Sequence, residues 1–302
     1  MRPPHVRWLF HGSVVVRDYF GALAWLQRYC GCRVLEYSES TDPIVARNGG
    51  VTWIGDAGLE LIEPTLPNGA AARFLERFGP GMYGLAFQVD DLEAAADWFA
   101  QQRAPHVGEV SAGYVFTQPR ATEGIHLEWA DKDFGHFDPH FGRVAVPELA
   151  EPPRVEVERV AFFGALVEEP KRARARLQQL CPAPLLFENP EAGAGEKAVG
   201  LGYVDASLVL YPMSDEETAL SLWGPLVNRP RLHLMALRVR DLERARAQFA
   251  RDGVRRLWER LDEGEFLTDP RDTHGIALLW TDRDLPNDPR GPLSSAPSGV
   301  TP

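Results

Sequence analysis

The segment Gly124-Ile-His-Leu-Glu-Trp-Ala-Asp-Lys-Asp133 returns later in the chain as Gly275-Ile-Ala-Leu-Leu-Trp-Thr-Asp-Arg-Asp284. A second pair, Leu85-Ala-Phe-Gln-Val-Asp-Asp-Leu-Glu93 and Met235-Ala-Leu-Arg-Val-Arg-Asp-Leu-Glu243, recurs in the same order. Both pairs are separated by half the length of the 302-residue chain. Repeats that keep their order at one spacing indicate a duplicated structural unit. The sequence therefore predicts a tandem duplication of one fold.

The duplication predicts two domains, residues 5–142 and residues 155–285. Residues 143–154 lie between them, contain three prolines and are predicted to form a linker. Residues 286–302 are rich in proline, glycine and serine, a composition that is typical of a disordered tail. His136 and His140 follow the end of the first repeat without a counterpart in the second, so we expect a surface role for them rather than a metal site.

The composition excludes several classes of partner. The formal net charge is −11 at pH 7, which lacks the basic surface that binding to nucleic acid or to an anionic membrane requires. No apolar run is long enough to span a bilayer, and charged residues interrupt the first twenty positions, unlike a signal peptide. We expect a cytoplasmic monomer or homodimer whose partner is a small-molecule substrate, with neither nucleic acid nor membrane.

Each half alternates strand and helix patterns in the same way. Residues 8–16 are rich in aromatic and β-branched types, as in a strand, and Asp18 can cap a helix that follows over residues 19–29. A strand at 82–89 and a helix at 91–101 repeat this arrangement, and short strands follow each helix. The predicted fold class is α+β, with four βαβββ modules in the chain.

Polar side chains share one face of several predicted strands, because successive strand residues point to opposite faces. In the first strand, Leu9 and His11 are predicted to share one face, and Trp8 and Phe10 the other. In residues 82–89, Tyr83 and Gly84 are predicted to point to opposite faces. If the polar faces converge, they enclose a pocket that contains His11, Ser13, Glu60, Gln88, His126 and Glu128.

The second half replaces this polar set with apolar residues. The matching positions are predicted to be Phe162 for His11, Leu208 for Glu60, Leu234 for Gly84, Ala277 for His126 and Leu279 for Glu128. A solvent-exposed face would not ordinarily become uniformly apolar in a duplicate, whereas a filled core would. We therefore predict a functional pocket in the first half only. The second half is expected to be a scaffold that can also form part of the pocket wall.

Four stretches of the first half carry a family resemblance. They are His11-Gly-Ser-Val-Val-Val-Arg-Asp18, Leu59-Glu-Leu-Ile-Glu-Pro64, Phe74-Leu-Glu-Arg-Phe-Gly-Pro-Gly81 and Gly124-Ile-His-Leu-Glu128. With these stretches the first half resembles the vicinal oxygen chelate superfamily, which contains glyoxalases, bleomycin resistance proteins and extradiol dioxygenases, and within it most resembles the methylmalonyl-CoA epimerases. This resemblance implies paired βαβββ modules in two tandem, cupped, half-open barrels, with a divalent metal that stabilises an enolate-like anion.

The resemblance places the family's metal ligands at His11, Glu60, Gly84 and Glu128. One imidazole and two carboxylates suit Mn, Fe, Co, Ni or Zn. Glycine at position 84 cannot ligate, which leaves three alternatives: a site with three protein ligands, a site completed by His126, or a site that has lost its metal.

The resemblance implies a metal-assisted isomerase, epimerase or lyase that acts on a small oxygenated carbon acid, a class that includes acyl thioesters. Glu128 or Glu60 would transfer the proton, and Ser13, Gln88 and His126 would bind substrate. The epimerases carry a further carboxylate, for which Glu36 and Glu39 are candidates. One alternative is a ring-cleaving extradiol dioxygenase, and another is a metal-free small-molecule binding or resistance protein.

Overall fold

The computed structural model describes residues 2–41, 46–131, 148–188, 198–213, 229–260 and 263–293. The segment that contains His136 and His140 lies outside the described residues, as do part of the predicted linker and residues 294–302. No helix among the described residues is long and apolar enough to cross a membrane.

The first half contains a sheet and three helices in the part that the structure describes. The helices are α1 (Tyr19–Cys30), α2 (Ala70–Phe78) and α3 (Leu92–Gln101). The strands are β1 (Val6–Val15), β2 (Arg33–Val34), β3 (Ser38–Ser40), β4 (Arg47–Ile54), β5 (Ala57–Pro64), β6 (Gly81–Val89), β7 (His106–Glu109), β8 (Tyr114–Thr117) and β9 (His126–Ala130).

The second half repeats this plan. Its described helices are α4 (Pro170–Leu180) and α5 (Leu242–Arg251). Its strands are β10 (Val157–Val167), β11 (Leu185–Glu188), β12 (Val199–Tyr203), β13 (Ala206–Pro212), β14 (Arg231–Val239), β15 (Arg256–Arg260), β16 (Glu265–Thr268) and β17 (Ala277–Thr281).

Helix boundaries follow from capping residues in the sequence. The Asp18 carboxylate accepts a hydrogen bond from the Gly21 amide at 3.0 Å at the start of α1, and Gly31 ends that helix with a φ of 68°. Such a left-handed conformation favours glycine. Asp91 caps α3 in the same way as Asp18 caps α1. The helices therefore begin where the sequence predicts.

Each sheet consists of two βαβββ modules that meet through their first strands. In the first sheet the order is β2-β4-β5-β1-β6-β9-β8-β7, with β3 beside β4, and in the second it is β11-β12-β13-β10-β14-β17-β16-β15. Strand β1 is parallel to β5 and antiparallel to β6, and β6 is parallel to β9. Neither sheet closes into a barrel, because its path ends in two different strands. The predicted fold class, with four modules in two half-open units, is confirmed.

The two halves share one apolar core and meet in a pseudo-symmetric way. The Leu9 amide of β1 donates to the Asp205 carboxylate at 2.8 Å, and the equivalent Val160 amide of β10 donates to the Asp56 carboxylate at 2.9 Å. The Phe87 and Tyr203 rings pack across the junction with centroids 4.7 Å apart. Each half thus covers apolar surface of the other.

Two β-bulges correct the predicted strand faces. The pairing of β1 with β6 moves from Leu9↔Phe87 directly to His11↔Ala86, so Phe10 is an extra residue. Tyr83 is extra in the same way on β6. A single extra residue reverses the alternation of side chains beyond it. Leu9 therefore packs in the main core, whereas Trp8, Phe10 and Tyr83 lie on the polar face.

The predicted disorder after residue 285 is wrong for residues 286–293. Arg290 donates hydrogen bonds to the carbonyl oxygens of Val160 at 2.7 Å and Ala161 at 2.8 Å. It also pairs with the carboxylates of Asp288 and Asp56. These contacts satisfy backbone acceptors of β10 and hold the segment against the second sheet, which the composition of the segment does not reveal.

Candidate functional site

A cavity of about 340 Å³ lies on the polar face of the first sheet. Its lining includes Ser38 and Val51 near one edge of the sheet and Val107 and Tyr114 near the other, so the sheet curves around it. Every lining residue lies between Phe10 and Glu128. The cavity therefore belongs to the first half, and no residue that the structure describes in the second half lines it.

The structure brings together five of the six predicted pocket residues. The five that line the cavity are His11, Ser13, Glu60, His126 and Glu128. Gln88 does not line it, and the prediction that Gln88 binds substrate is not supported. Its side-chain oxygen accepts a hydrogen bond from the Trp8 indole at 2.7 Å in a buried position. The bulge at Phe10 turns Trp8 towards Gln88, which places an indole in front of the amide.

Arg47 and Glu60 form an ion pair inside the cavity. The Arg47 Nε atom donates to Glu60 Oε1 at 2.7 Å, and Nη1 donates to the Ser38 hydroxyl at 3.1 Å. Both charged side chains are largely buried, with exposures of 18% and 10%. The Arg47 side chain passes Gly49, where an added Cβ would lie 3.2 Å from its Cδ. The main requirement for glycine at this position is the Leu61 carbonyl oxygen, only 2.4 Å from such a Cβ, and the glycine also leaves space for the arginine.

His11 and Ser13 lie beside the second oxygen of Glu60. The Ser13 hydroxyl donates to Glu60 Oε2 at 3.4 Å and lies 3.2 Å from His11 Nδ1. His11 Nε2 is 3.9 Å from the same carboxylate oxygen. Burial lowers the pKa of His11, although the charge of Glu60 acts in the opposite direction. The imidazole is therefore uncharged at neutral pH.

His126 is stacked between aromatic rings. Its ring centroid is 4.5 Å from that of Tyr83 and 5.4 Å from that of Phe116, and its Nε2 lies 3.4 Å from the Tyr83 hydroxyl. Burial lowers the pKa of His126 to about 4, so this imidazole is also uncharged at neutral pH. Its Nδ1 atom would lie 3.2 Å from a Cβ at Gly84. The His126 ring thus occupies the space beside the glycine.

Glu128 and Tyr83 provide an acceptor and a donor in the same cavity. Glu128 is on β9, between Ala86 of β6 and Phe116 of β8. Burial raises the pKa of Tyr83, and the charges of Glu128 and Glu60 act in the same direction. The Tyr83 hydroxyl therefore keeps its proton at neutral pH and can donate a hydrogen bond.

The donor set does not fit the divalent metal that the resemblance implies. Among the described residues, no group of three or more His, Cys, Asp or Glu side chains is arranged to hold a metal ion. The guanidinium of Arg47 holds one oxygen of Glu60, so a cation already occupies part of the predicted ligand. His126 does not complete such a group among the described residues, and its Nε2 lies 3.4 Å from the Tyr83 hydroxyl.

The cavity residues that the sequence did not predict include Phe10, Arg47 and Tyr83. The two aromatic residues enter the cavity through bulges, which strand alternation cannot reveal. The sequence gives one weak indication for Arg47. It lies on the same face of β4 as Val51, which pairs with Glu60. Of the two further carboxylate candidates, Glu36 lines the cavity. Glu39 is exposed and accepts a hydrogen bond from Tyr37 outside it.

The equivalent face of the second half is filled by an apolar cluster. Strand pairing makes Val209 the counterpart of Glu60, because Ser13 pairs with Glu60 and the equivalent Gly164 pairs with Val209. The predicted counterpart, Leu208, is off by one residue and lies in the shared core. The other predicted counterparts hold, and the cluster contains Phe162, Val209, Leu234, Ala277 and Leu279.

Comparisons with known proteins agree with this architecture. A triple mutant of 4-hydroxymandelate synthase from Streptomyces coelicolor aligns with a TM-score of 0.64 over 95% of both chains, at 13% identity. Methylmalonyl-CoA epimerase from Mycobacterium tuberculosis aligns with 43% of this chain and 91% of its own, at 22% identity and a TM-score of 0.39. No curated protein sequence matches the chain.

The first of these alignments shows that the fold of the whole chain is that of a two-unit vicinal oxygen chelate protein. Residues 10–118 match the family model described as Glyoxalase/Bleomycin resistance protein/Dioxygenase superfamily. This matched range includes most of the cavity lining. Residues 10–118 therefore resemble the glyoxalase, bleomycin resistance protein and dioxygenase superfamily, and the first half, which contains them, carries the cavity.

Proposed function

We propose that the protein is an isomerase, epimerase or lyase that moves a proton at a carbon next to a carbonyl group in a small oxygenated substrate. The observation that carries the proposal is the pairing of a carboxylate, Glu128, with a protonated hydroxyl, Tyr83, in one enclosed cavity. Proton transfer at such a carbon needs a base and a donor for the oxygen that becomes negative. A thioester satisfies the same requirement, so acyl thioesters lie within the proposed class.

Glu128 is the proposed base. Its carboxylate takes the proton from the acidic carbon. Return of a proton to a neighbouring carbon gives isomerisation, delivery to the opposite face of the same carbon gives epimerisation, and departure of a leaving group from the neighbouring carbon gives a lyase reaction. We assign this role to Glu128 rather than Glu60 because, of the two carboxylates, Glu128 acts more strongly on the hydroxyl of Tyr83, the proposed donor.

Negative charge on the substrate oxygen would be stabilised by donors of this chain. The Tyr83 hydroxyl stays protonated at neutral pH, and Arg47 supplies a permanent positive charge in the cavity lining. Donors that are fixed before the reaction and shielded from water stabilise an oxyanion more strongly than solvent does. Glu60 balances part of the charge of Arg47, and His11 and His126, both uncharged, add no further charge. No step of the proposal passes through a metal.

Exchange of substrate C–H for deuterium tests the proposal. The protein is incubated in D₂O with a panel of small carbonyl compounds that carry an acidic C–H, and loss of the proton signal is followed by NMR. We expect wild-type protein to exchange at least one of them and Glu128→Gln to lose the activity by a factor of about 100 or more. Glu93→Gln, the same substitution at an exposed site on α3, serves as the matched control. Exchange that is unchanged in Glu128→Gln contradicts the proposal.

A second candidate is a small-molecule binding protein without turnover. It is supported by the ion pair of Arg47 with Glu60, which gives the cavity a stable arrangement without a metal, and by its aromatic lining. Binding of panel compounds without any deuterium exchange would favour this candidate. The extradiol dioxygenase alternative is the least supported, because it requires two histidines and a carboxylate around iron. The described residues do not form such a group.

A further inference from the structure

One buried side chain of the second half reaches the wall of the cavity. Arg231 is the first residue of β14 and is 7% exposed. Its guanidinium carbon lies 5.1 Å from the centre of the Phe78 ring and 6.0 Å from that of Phe74. Both distances allow an attraction between the cation and the aromatic faces. Burial lowers the pKa of Arg231 to about 10, so the side chain is still charged at neutral pH.

The two rings belong to α2, which packs on the first sheet with residues that are at most partly buried. None of its nine residues is fully buried, in contrast to α1 and α3. Its first two residues, Ala70 and Ala71, line the cavity together with Gly69. Few buried contacts mean low local stability. The contacts of Phe74 and Phe78 therefore contribute to the position of this part of the wall.

The same helix also supports the stacked side chains inside the cavity. The Phe74 ring meets the Tyr83 ring edge-on with centroids 5.1 Å apart. Tyr83 in turn contacts His126 through its ring and its hydroxyl. A continuous line of contacts thus runs from Arg231 through Phe74 and Tyr83 to His126.

We propose that Arg231 is a positioning residue for the cavity of the other half: its guanidinium holds α2 through Phe74 and Phe78, and α2 keeps Tyr83 and His126 in place. Burying a cation is unfavourable unless other interactions offset it, so an apolar residue would be the simpler choice for stability alone. This inference gives the second half a direct role in the site, although none of its residues lines the cavity. It does not depend on the reaction that the site performs.

Local hydrogen exchange tests the inference without a substrate. Arg231→Met keeps the length of the side chain and removes its charge, and Arg231→Lys keeps the charge. We expect the amides of α2 to exchange about tenfold faster in Arg231→Met, because the attraction of a desolvated cation for aromatic rings is lost. Arg231→Lys should restore most of the protection. Arg229→Met, at an exposed site two residues away, is the matched control and should change nothing.

The contact between the Tyr83 and His126 rings gives a second readout that a purely structural role would not move. The ring centroids are 4.5 Å apart, so loosening of α2 should weaken the nuclear Overhauser effects between the two rings in Arg231→Met. NMR with ring protons assigned by His126→Gln measures them. If Arg231→Met leaves both the exchange of α2 and these effects unchanged, Arg231 does not position the cavity. Faster exchange spread evenly over the second half would equally overturn the inference.

Discussion

The two halves of the molecule have the same backbone plan and opposite chemistry on one face. Where the first half carries His11, Glu60 and Glu128 around a cavity, strand pairing places Phe162, Val209 and Leu279 in an apolar cluster. The fold therefore does not need the polar set, since the second half forms without it. Burying polar groups is unfavourable unless they are paired, so their presence in one half indicates a ligand rather than a structural requirement.

Hydrogen bonds that both halves share support this distinction between the fold and the site. The Trp129 indole donates to the Thr117 hydroxyl at 3.2 Å, and the Trp280 indole donates to the Thr268 hydroxyl at the same distance. All four residues are buried, on the last two strands of each unit. Features present in both halves thus belong to the fold, and features present in one belong to the site.

Placing the site's carboxylate in the second half should have the largest effect. Leu279→Glu puts a charge into the apolar cluster without a partner, and we expect it to lower the free energy of unfolding by about 3–5 kcal/mol. The reverse change, Glu128→Leu, should alter that free energy by less than about 1 kcal/mol, because its position already borders apolar rings. Urea denaturation measures both. Equal losses in the two variants would show that the faces are not different.

Acid should destabilise the first half through His126. The ordinary pKa of 6.5 applies to the unfolded chain, and burial lowers the folded value to about 4. The stabilisation is therefore complete above pH 6.5 and is lost as the pH falls from 6.5 towards 4. His126→Ala introduces the residue found at the equivalent position, 277. Between pH 6.5 and 4 this variant should lose about 2–3 kcal/mol less stability than the wild-type protein. Burial lowers the pKa of His11 in the wild-type protein and in His126→Ala alike. The contribution of His11 therefore cancels when the two are compared.

The ion pair of Arg47 and Glu60 can be removed in two ways. One leaves a buried charge without its partner, and the other removes both charges. Arg47→Met alone leaves the Glu60 carboxylate without its cation and should lower the free energy of unfolding by about 1–2 kcal/mol. Adding Glu60→Val, the residue type found at position 209, should recover most of this loss, because two apolar side chains can replace a buried pair. A double variant that is less stable than Arg47→Met would contradict the account.

Two equivalent hydrogen bonds join the halves, and removing one or the other should give the smallest difference in stability. Asp205→Ala removes the acceptor for the Leu9 amide, and Asp56→Ala removes the acceptor for the Val160 amide. Each should lower the free energy of unfolding by about 1 kcal/mol. The Asp56 variant should be slightly the worse of the two, because Arg290 also contacts that carboxylate at 3.2 Å. Thermal unfolding of the two variants side by side tests this.

The sequence predicted what depends on local pattern and missed what depends on strand pairing. The duplication follows from residues that are alike in the two halves, and the helix caps follow from residues that are close in sequence. The grouping of His11, Glu60 and Glu128 follows from strand alternation and from the family resemblance. The bulges at Phe10 and Tyr83 depend on how β1 pairs with β6, and one inserted residue is enough to misplace Gln88 and Trp8.

Arg47 shows a different limit of prediction. Its role depends on a long side chain that passes Gly49 to reach a neighbouring strand, a contact that neither residue reveals alone. The same contact explains why the predicted metal ligands do not fit a metal, since it uses the carboxylate that a metal would need. The three ligand positions named from the resemblance thus line one cavity, and that cavity also contains residues outside the shared motifs, Arg47 among them.

We propose that only the first half of the protein is reactive. A pair of carboxylate variants, one in each half, tests this proposal most directly. Glu265 on β16 is the strongest rival base in the second half, because burial raises its pKa to about 7. Deuterium exchange into a substrate should be retained in Glu265→Gln and reduced about 100-fold or more in Glu128→Gln. Exchange that is lost in Glu265→Gln and retained in Glu128→Gln would place the chemistry in the second half and contradict the account.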